Sequence, residues 1–81
     1  MRIVLLKQPR KYLAAVDVST RKKLHRALDR LSRLEGDIKR LAGHDNLYRY
    51  KLAHYRIIFS IDAEGKLIIV STIDARTNIK Y

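Results

Sequence analysis

Cationic side chains alternate with apolar ones in two neighbouring stretches of the chain, at a spacing that favours binding of an anion. Residues 48–52 and 55–59 each alternate with a period of two, which is typical of β-strands. If these strands pair across the short turn between them, Lys51 lies opposite Arg56, and Arg49 shares their face. Like charges in direct opposition destabilise a sheet, and we expect no acidic residue on that face. The pattern therefore predicts a surface that attracts a phosphate backbone; the alternative is that these side chains only hydrate the outer face of the sheet.

The end of the chain supplies two further groups that can act beside this surface. Arg76 follows the last predicted strand, and Tyr81 stands five residues further on. A tail this short can fold back toward the strand that precedes it. We therefore expect the guanidinium of Arg76 and the phenol of Tyr81 to lie close to the cationic face.

The three histidines give weaker evidence of a functional site than the cations do. His25, His44 and His54 have no carboxylate or second histidine at the spacing of metal ligands, and the chain has no cysteine. We therefore expect no metal and no cofactor. His54 lies in the predicted turn between the two strands, where a role in proton transfer is the less favoured alternative to a hydrated turn residue.

The elements that must position these groups follow from the hydrophobic pattern. A strand is predicted over residues 2–6 and a first helix over 9–17. A second helix is predicted to begin at a cap on Ser19 or Thr20 and to stop at Gly36. Its apolar stripe, at helical spacing, consists of Leu24, Ala27, Leu28, Leu31 and Leu34.

The second half of the chain contains three predicted strands. After the hairpin, a turn at residues 62–65 leads to a strand from Lys66 to Ile73. This strand is apolar on both faces, which predicts a central place in its sheet. Strict alternation divides its apolar residues into two sets, Leu67, Ile69 and Ile73 on one face and Ile68 and Val70 on the other. The predicted order is β-α-α-β-β-β, an α+β fold in which an N-terminal helical hairpin packs on an antiparallel β-sheet.

The length and charge of the chain favour a small nucleic-acid-binding protein. The 81 residues carry 18 Lys and Arg against 8 Asp and Glu, a formal net charge of +10. So basic a balance in a small folded chain is typical of nucleic-acid binding. We expect a single domain over residues 1–81 and a cytoplasmic location, and no apolar run approaches the ~20 residues of a membrane-spanning helix.

Short motifs in the second half of the chain form a recognisable set. They are Leu41-Ala42-Gly43, Tyr48-Arg49-Tyr50-Lys51-Leu52, His54-Tyr55-Arg56-Ile57-Ile58-Phe59, and the closing Arg76 and Tyr81. Together they resemble the RelE/ParE superfamily of prokaryotic toxins, and its RelE-like members in particular. The motifs cover residues 39–81, whereas residues 1–38 match only in the order of elements and in the leucine-striped helix. The resemblance implies the microbial-ribonuclease-like fold of those toxins.

The resemblance also implies an activity and a set of catalytic residues. RelE-like toxins are basic ribonucleases that enter the ribosomal A site and cleave messenger RNA through attack of a 2′-hydroxyl on the adjacent phosphate, without a metal. The residues carried over are Arg49, Lys51, Arg56, Arg76 and Tyr81. Among them, Lys51 is the candidate base and Arg56 the phosphate clamp. Arg76 would neutralise the leaving oxygen, and Tyr81 would stack on a base or orient the phosphate.

Partners follow from the same resemblance. They are messenger RNA, ribosomal RNA in the 30S A site, and a cognate antitoxin protein encoded by an adjacent gene. The RNA-binding set comprises Arg49, Lys51 and Arg56 together with the cations of the second helix, Lys22, Lys23, Arg26 and Arg30. No membrane is expected as a partner, because the apolar stripe of that helix is better explained by packing in the core.

Two other functions remain open from the sequence. A ParE-like inhibitor of DNA gyrase would have the same fold without nuclease activity, although such proteins generally lack the full cationic set. A degenerate relative would have no toxicity. The process that is inhibited first, translation or DNA supercoiling, separates these alternatives.

Overall fold

Residues 1–75 are described by the structure, a computed structural model of the chain. The elements are, in chain order, β1 (Arg2–Leu5), α1 (Lys7–Ala15), α2 (Val18–Ser32), β2 (Asp37–Arg40), β3 (Tyr48–Leu52), β4 (Tyr55–Asp62) and β5 (Leu67–Ala75). The strands form one five-stranded sheet in the order β1-β5-β4-β3-β2. The predicted α+β architecture, with an N-terminal helical pair packed on a sheet, is confirmed.

Two features of the sheet differ from the prediction. The strand β2 was not predicted, because Ile38 is the only apolar residue among its four and no alternation can be recognised in so short a segment. The sheet was also expected to be antiparallel throughout, whereas β1 runs parallel to β5. The chain leaves β1 through both helices and comes back beside it only at β5, which is the long crossover that parallel strands require. The sheet is therefore mixed.

Apolar residues from the two helices and from one face of the sheet form the core. The stripe of α2 is buried as predicted, with the exception of Leu34, and Leu13 joins it from α1. The sheet contributes Tyr50, Ile57, Phe59, Ile68, Val70 and Ile73. Neither described helix is long and apolar enough to cross a membrane.

The helices begin earlier than the sequence suggested. The first starts at Lys7 instead of residue 9. The second is capped by Asp17, whose carboxylate accepts a hydrogen bond from the backbone N–H of Thr20 at 3.4 Å. The predicted caps, Ser19 and Thr20, lie inside the first turn, so that prediction was wrong. The hydrogen bonds from Thr20 also lower the pKa of the Asp17 carboxyl group.

The second helix also ends before the predicted stop. Leu34 adopts a left-handed conformation with φ of 54°, and the N–H groups of Leu34 and Glu35 donate to the carbonyls of Leu31 and Arg30. This is a Schellman arrangement, in which glycine usually holds the left-handed position. Leu34 consequently lies outside the helix, 48% exposed, and does not extend the apolar stripe. Gly36 comes later, in the approach to β2.

A bulge in β5 changes which of its residues face the core. Ile58 pairs with Thr72 and the next residue of β4, Phe59, pairs with Val70, so Ser71 is the extra residue on β5. The Ser71 hydroxyl donates to the carbonyl of Ile58 at 3.2 Å. Beyond the bulge every side chain changes face relative to strict alternation. The core face therefore carries Ile68, Val70 and Ile73, and the predicted grouping of Ile73 with Leu67 and Ile69 was wrong.

Two side-chain amides continue the sheet where its strands end. Gln8 lies after the end of β1, and the register that pairs β1 with β5 places it opposite Ile73. Its side-chain amide forms two hydrogen bonds with the backbone of Ile73: it donates to the carbonyl at 2.8 Å and accepts from the N–H at 2.9 Å. Asn46 lies just before the start of β3, and its side-chain amide forms two equivalent hydrogen bonds with the backbone of Ile61, at 2.8 and 3.0 Å. Each amide satisfies a donor and an acceptor that the missing strand residue would otherwise have satisfied.

We expect Gln8→Ala to lower the free energy of unfolding by about 2 kcal/mol, because it leaves two partly buried backbone groups of Ile73 without partners. Chemical denaturation would measure the change. Gln8→Glu keeps the acceptor and loses the donor, so its effect should be intermediate. Arg10→Ala, at an exposed position of the same helix, is the control. Equal stability of Gln8→Ala and Arg10→Ala would contradict this account.

Candidate functional site

The face of the sheet turned away from the helices carries the charged side chains. The register of the β3–β4 hairpin is the predicted one: Lys51 pairs with Arg56 and Arg49 with Ile58. Because directly opposed residues share a face, Arg49, Lys51 and Arg56 lie together on this side. The other two strands at this end of the sheet, β2 and β5, add neighbours that the hairpin alone did not reveal. We call this side the outer face.

A row of four charged residues crosses the outer face from β2 to β5. Asp37 pairs with Lys51, Lys51 with Arg56, and Arg56 with Asp74. At ~4.8 Å between neighbouring strands the row spans about 14 Å. Two cations lie in its middle and a carboxylate at each end. We call these four residues the charged row.

The charged row corrects one expectation. We expected no acidic residue on this face, but Asp37 and Asp74 both lie there. The sequence concealed Asp37 because the strand that holds it was not predicted, and it concealed Asp74 because the bulge at Ser71 reverses the faces beyond it. The two carboxylates offset the repulsion between the opposed cations, so the protein tolerates a Lys51–Arg56 pair without a bound anion.

Arg49 is held in a different way from the two cations of the charged row. Its guanidinium nitrogen lies 3.7 Å from a carboxylate oxygen of Asp37, and its side chain is only 13% exposed. The register places it against Ile58, which is buried although it faces outward. The aliphatic part of Arg49 thus lies along the sheet, with the charge directed toward β2.

Lys51 and Arg56 remain available to a ligand. Within residues 1–75, neither forms an ion pair. Lys51 is exposed and Arg56 is half-buried, and no described helix covers the outer face above them. Two adjacent cations on an uncovered surface can bind the oxygens of one phosphate group, with the forked donors of Arg56 suited to a bidentate contact.

Comparison with solved structures places this fold among known proteins. The RelE–RelB complex of Pyrococcus horikoshii OT3 matches with a TM-score of 0.75 and 26% identity, covering 96% of this chain and 97% of that one. The antitoxin–toxin complex of Methanococcus jannaschii matches with a TM-score of 0.70 and 24% identity, over 91% of each chain. The isolated E. coli RelE toxin matches with a TM-score of 0.73 and 18% identity, over 91% of this chain and 82% of that one.

The fold of this chain is RelE-like. No family profile matches its sequence, and no curated protein does. The likeness therefore rests on three-dimensional structure, with sequence motifs that agree with it. It extends over nearly the whole chain, including the segment before β2, for which the sequence offered only the order of its elements and the leucine-striped helix.

The other candidate residues of the RelE-like chain lie away from the outer face or beyond the described residues. The cations of α2 are exposed on the helical layer, which packs against the opposite side of the sheet: Lys22, Lys23, Arg26 and Arg30. They are not brought together with the charged row. Arg76 and Tyr81 lie outside the described residues. The histidines His25, His44 and His54 are all exposed.

Tyr12 on α1 lies near the β5 end of the charged row. Partial burial raises the pKa of its phenol, and the Asp74 carboxylate and Tyr55 raise it further. The hydroxyl of Tyr12 therefore stays protonated at neutral pH, and it can act as a hydrogen-bond donor but not as a base. Among residues 1–75 there is no cluster of three side chains of the types that ligate metals.

Proposed function

We propose that this chain is the toxin of a toxin–antitoxin module and cleaves messenger RNA on the ribosome. The observation that carries the proposal is the adjacent pair Lys51 and Arg56 on the outer face of a RelE-like fold, where no helix of residues 1–75 covers them. Asp37 and Asp74 offset the repulsion between the two cations, but within residues 1–75 neither carboxylate forms an ion pair with them. Both cations can therefore bind a phosphodiester between them; the alternative is that they only hydrate the outer face.

The reaction that suits these groups is attack of the ribose 2′-oxygen on the neighbouring phosphorus. The P–O2′ bond forms and the bond to the 5′-oxygen breaks, which leaves a 2′,3′-cyclic phosphate and a free 5′-hydroxyl. Negative charge increases on the non-bridging oxygens in the transition state, where Lys51 and Arg56 would stabilise it. The 2′-hydroxyl proton must pass to a base, and Lys51 is our candidate: its neutral amine would accept the proton, and the ammonium ion so formed would face the charge that develops on the phosphate.

The remaining roles rest on the resemblance of the tail motifs. Arg76 would neutralise the leaving 5′-oxygen, which takes up a proton from water, and Tyr81 would stack on a base or orient the phosphate. Arg49 was expected to act with them. Its ion pair with Asp37 favours a contribution to the electrostatic field of the site from a fixed position. The proposed reaction uses no metal ion.

The helical layer has a separate role in the proposal. Lys22, Lys23, Arg26 and Arg30 would contact ribosomal RNA through its phosphates, on the side of the protein opposite the messenger RNA. The two RNA contacts would then not compete for one surface. Phosphate contacts carry no sequence information, so this layer would dock the protein without selecting a codon.

We further propose an antitoxin as the protein partner. Two of the similar structures are complexes of RelE with RelB. A net charge of +10 on this chain would favour a partner with acidic segments. Coexpression with the protein encoded beside it should suppress any growth arrest.

A cell-free translation assay tests the enzymatic part of the proposal. Purified protein should cut a reporter message in the presence of ribosomes and leave it intact without them, with primer extension locating the cuts. Inhibition of DNA supercoiling with translation unaffected would instead favour the ParE-like alternative. Absence of both effects would identify a non-toxic relative.

A further inference from the structure

Lys39 is a cation of the outer face that the site described above does not use. It lies on β2 and pairs with Arg49 on β3, as Asp37 pairs with Lys51. Because opposed residues share a face, Lys39 is on the same side of the sheet as the charged row. Its position became visible only with β2, which the sequence did not reveal.

Lys39 and Arg49 present different donors to this surface. Lys39 is exposed and forms no ion pair within the described part of the chain. Arg49 lies flat, and its 3.7 Å separation from Asp37 is too long for a hydrogen bond. The guanidinium is therefore oriented by Asp37 while its N–H groups remain free to donate. A flexible ammonium stands beside a fixed guanidinium.

Lys39 and Arg49 lie two residues along the sheet from Lys51 and Arg56, on the same face. Lys51 and Arg49 are two residues apart on β3, which separates their positions by about 6.8 Å along the strand. One nucleotide step of an extended single strand can bridge such a distance. A strand that follows β3 would therefore meet one cation pair and then the other.

The carboxylates define the direction of this path. Asp37 and Asp74 stand at the two ends of the charged row and repel a phosphate placed over either end. A backbone running across the strands would meet both carboxylates. A backbone running along β3 meets cations at both steps and passes only the Asp37 carboxylate, whose charge is paired with Arg49.

We propose that Lys39 and Arg49 form a second phosphate subsite, which binds the phosphodiester next to the one held by Lys51 and Arg56 in a single-stranded RNA. This inference rests on the proposed function for the identity of the ligand. Lys39 supplies the exposed charge, and Asp37 acts as the positioning residue for Arg49. Lys39 contributes to binding and not to the chemical step.

Binding of a non-cleavable RNA tests the subsite separately from catalysis. The probe is a fluorescent single-stranded RNA with a 2′-deoxy sugar at each cleavable position, and anisotropy is measured over a range of salt concentrations. Lys39→Ala should weaken binding about threefold to fivefold. It should also reduce the slope of log K against log salt by about 0.7, the loss of one phosphate contact. Lys39→Arg should retain both values.

Lys11→Ala is the matched control, because it removes the same charge from an exposed position on α1, in the helical layer. A second probe carries neutral methylphosphonate linkages on either side of the scissile position. With this probe, Lys39→Ala should bind as well as the unsubstituted protein. Equal effects of Lys39→Ala and Lys11→Ala on the charged probe, or an unchanged effect of Lys39→Ala on the neutral one, would overturn the subsite.

The cleavage assay keeps the two proposals distinct. On ribosomes, Lys39→Ala should raise KM and leave kcat unchanged. If the unsubstituted protein does not cut messages but shows the predicted binding behaviour, the proposed function fails and the subsite stands. If it cuts messages and Lys39→Ala behaves as Lys11→Ala in both assays, the function stands and the subsite fails.

Discussion

Lys51→Ala is expected to reduce kcat for cleavage of messenger RNA on ribosomes by about 10²–10³-fold, the usual cost of removing one group aimed at the charge of a transition state. Lys51 is exposed and pairs with Asp37 on one side and Arg56 on the other. Its removal takes away one attraction and one repulsion of similar size. We therefore expect the free energy of unfolding to change by no more than about 0.5 kcal/mol, so that lost activity does not reflect lost folding.

Two further variants separate the roles of Lys51. Lys51→Arg keeps the positive charge but provides a guanidinium, which does not exchange its proton as a base must. If Lys51 acts as the base, Lys51→Arg should be nearly as inactive as Lys51→Ala; if it acts only through its charge, much of the activity should return. Lys11→Ala serves as the control for loss of a surface charge. Arrest of translation by Lys51→Ala at the unsubstituted rate would show that the site has been placed wrongly.

Gly36→Ala is expected to lower the free energy of unfolding by about 3 kcal/mol or more. The glycine has φ of +120°, a conformation that side chains with a Cβ rarely adopt. A Cβ there would stand 2.7 Å from two atoms of the buried Tyr50 side chain. Backbone strain and overpacking therefore add, each costing about 1–3 kcal/mol. Thermal or denaturant unfolding would measure the sum.

Gly43→Ala provides the control for backbone strain alone. Gly43 also has a positive φ, of +81°, but no atom lies within 4 Å of its potential Cβ. Its substitution should cost only about 1–2 kcal/mol. Tyr50→Leu removes the ring atoms that the new Cβ would meet, so Gly36→Ala with Tyr50→Leu should cost less than the sum of the two single changes. Equal costs for Gly36→Ala and Gly43→Ala would rule out the contact with Tyr50 as the cause.

We expect Gly36→Ala to weaken RNA binding as well as stability. Gly36 immediately precedes β2, and the Tyr50 ring that its substitution would displace belongs to β3, the neighbouring strand. Asp37 follows directly and holds the guanidinium of Arg49. A displaced β2 would therefore disturb the outer face as well as the core. Loss of RNA binding in parallel with stability is expected for Gly36→Ala but not for Gly43→Ala.

The hairpin could be predicted from the sequence because its information is local. A short turn and alternating side chains determine which residues oppose one another, and a slip by one residue would expose Tyr50, Ile57 and Phe59 to water. The predicted pairs Lys51–Arg56 and Arg49–Ile58 are both present. The apolar stripe of α2 was equally readable, because its spacing repeats over several turns.

The ends of elements were less predictable, because they depend on single hydrogen bonds and on one or two dihedral angles. Asp17 and Thr20 both have side chains that cap helices, and only the three-dimensional structure distinguishes the cap from a residue of the first turn. Leu34 occupies a left-handed position that usually belongs to glycine. Propensity favoured Gly36 as the stop, but the helix ends at Ser32, and the left-handed Leu34 closes it two residues before the glycine.

By itself, the sequence determined that three cations share one face of a hairpin, since alternation along a strand needs no other part of the molecule. Only the tertiary structure decided what surrounds them. The pairing of β2 with β3 brings Asp37 and Lys39 beside the cations, although they lie 12 and 10 positions before Arg49 in the chain. The bulge at Ser71 turns Asp74 outward to meet Arg56. Strand pairing and bulges are settled by contacts between distant segments, so the balance of charge on this face is a property of the fold.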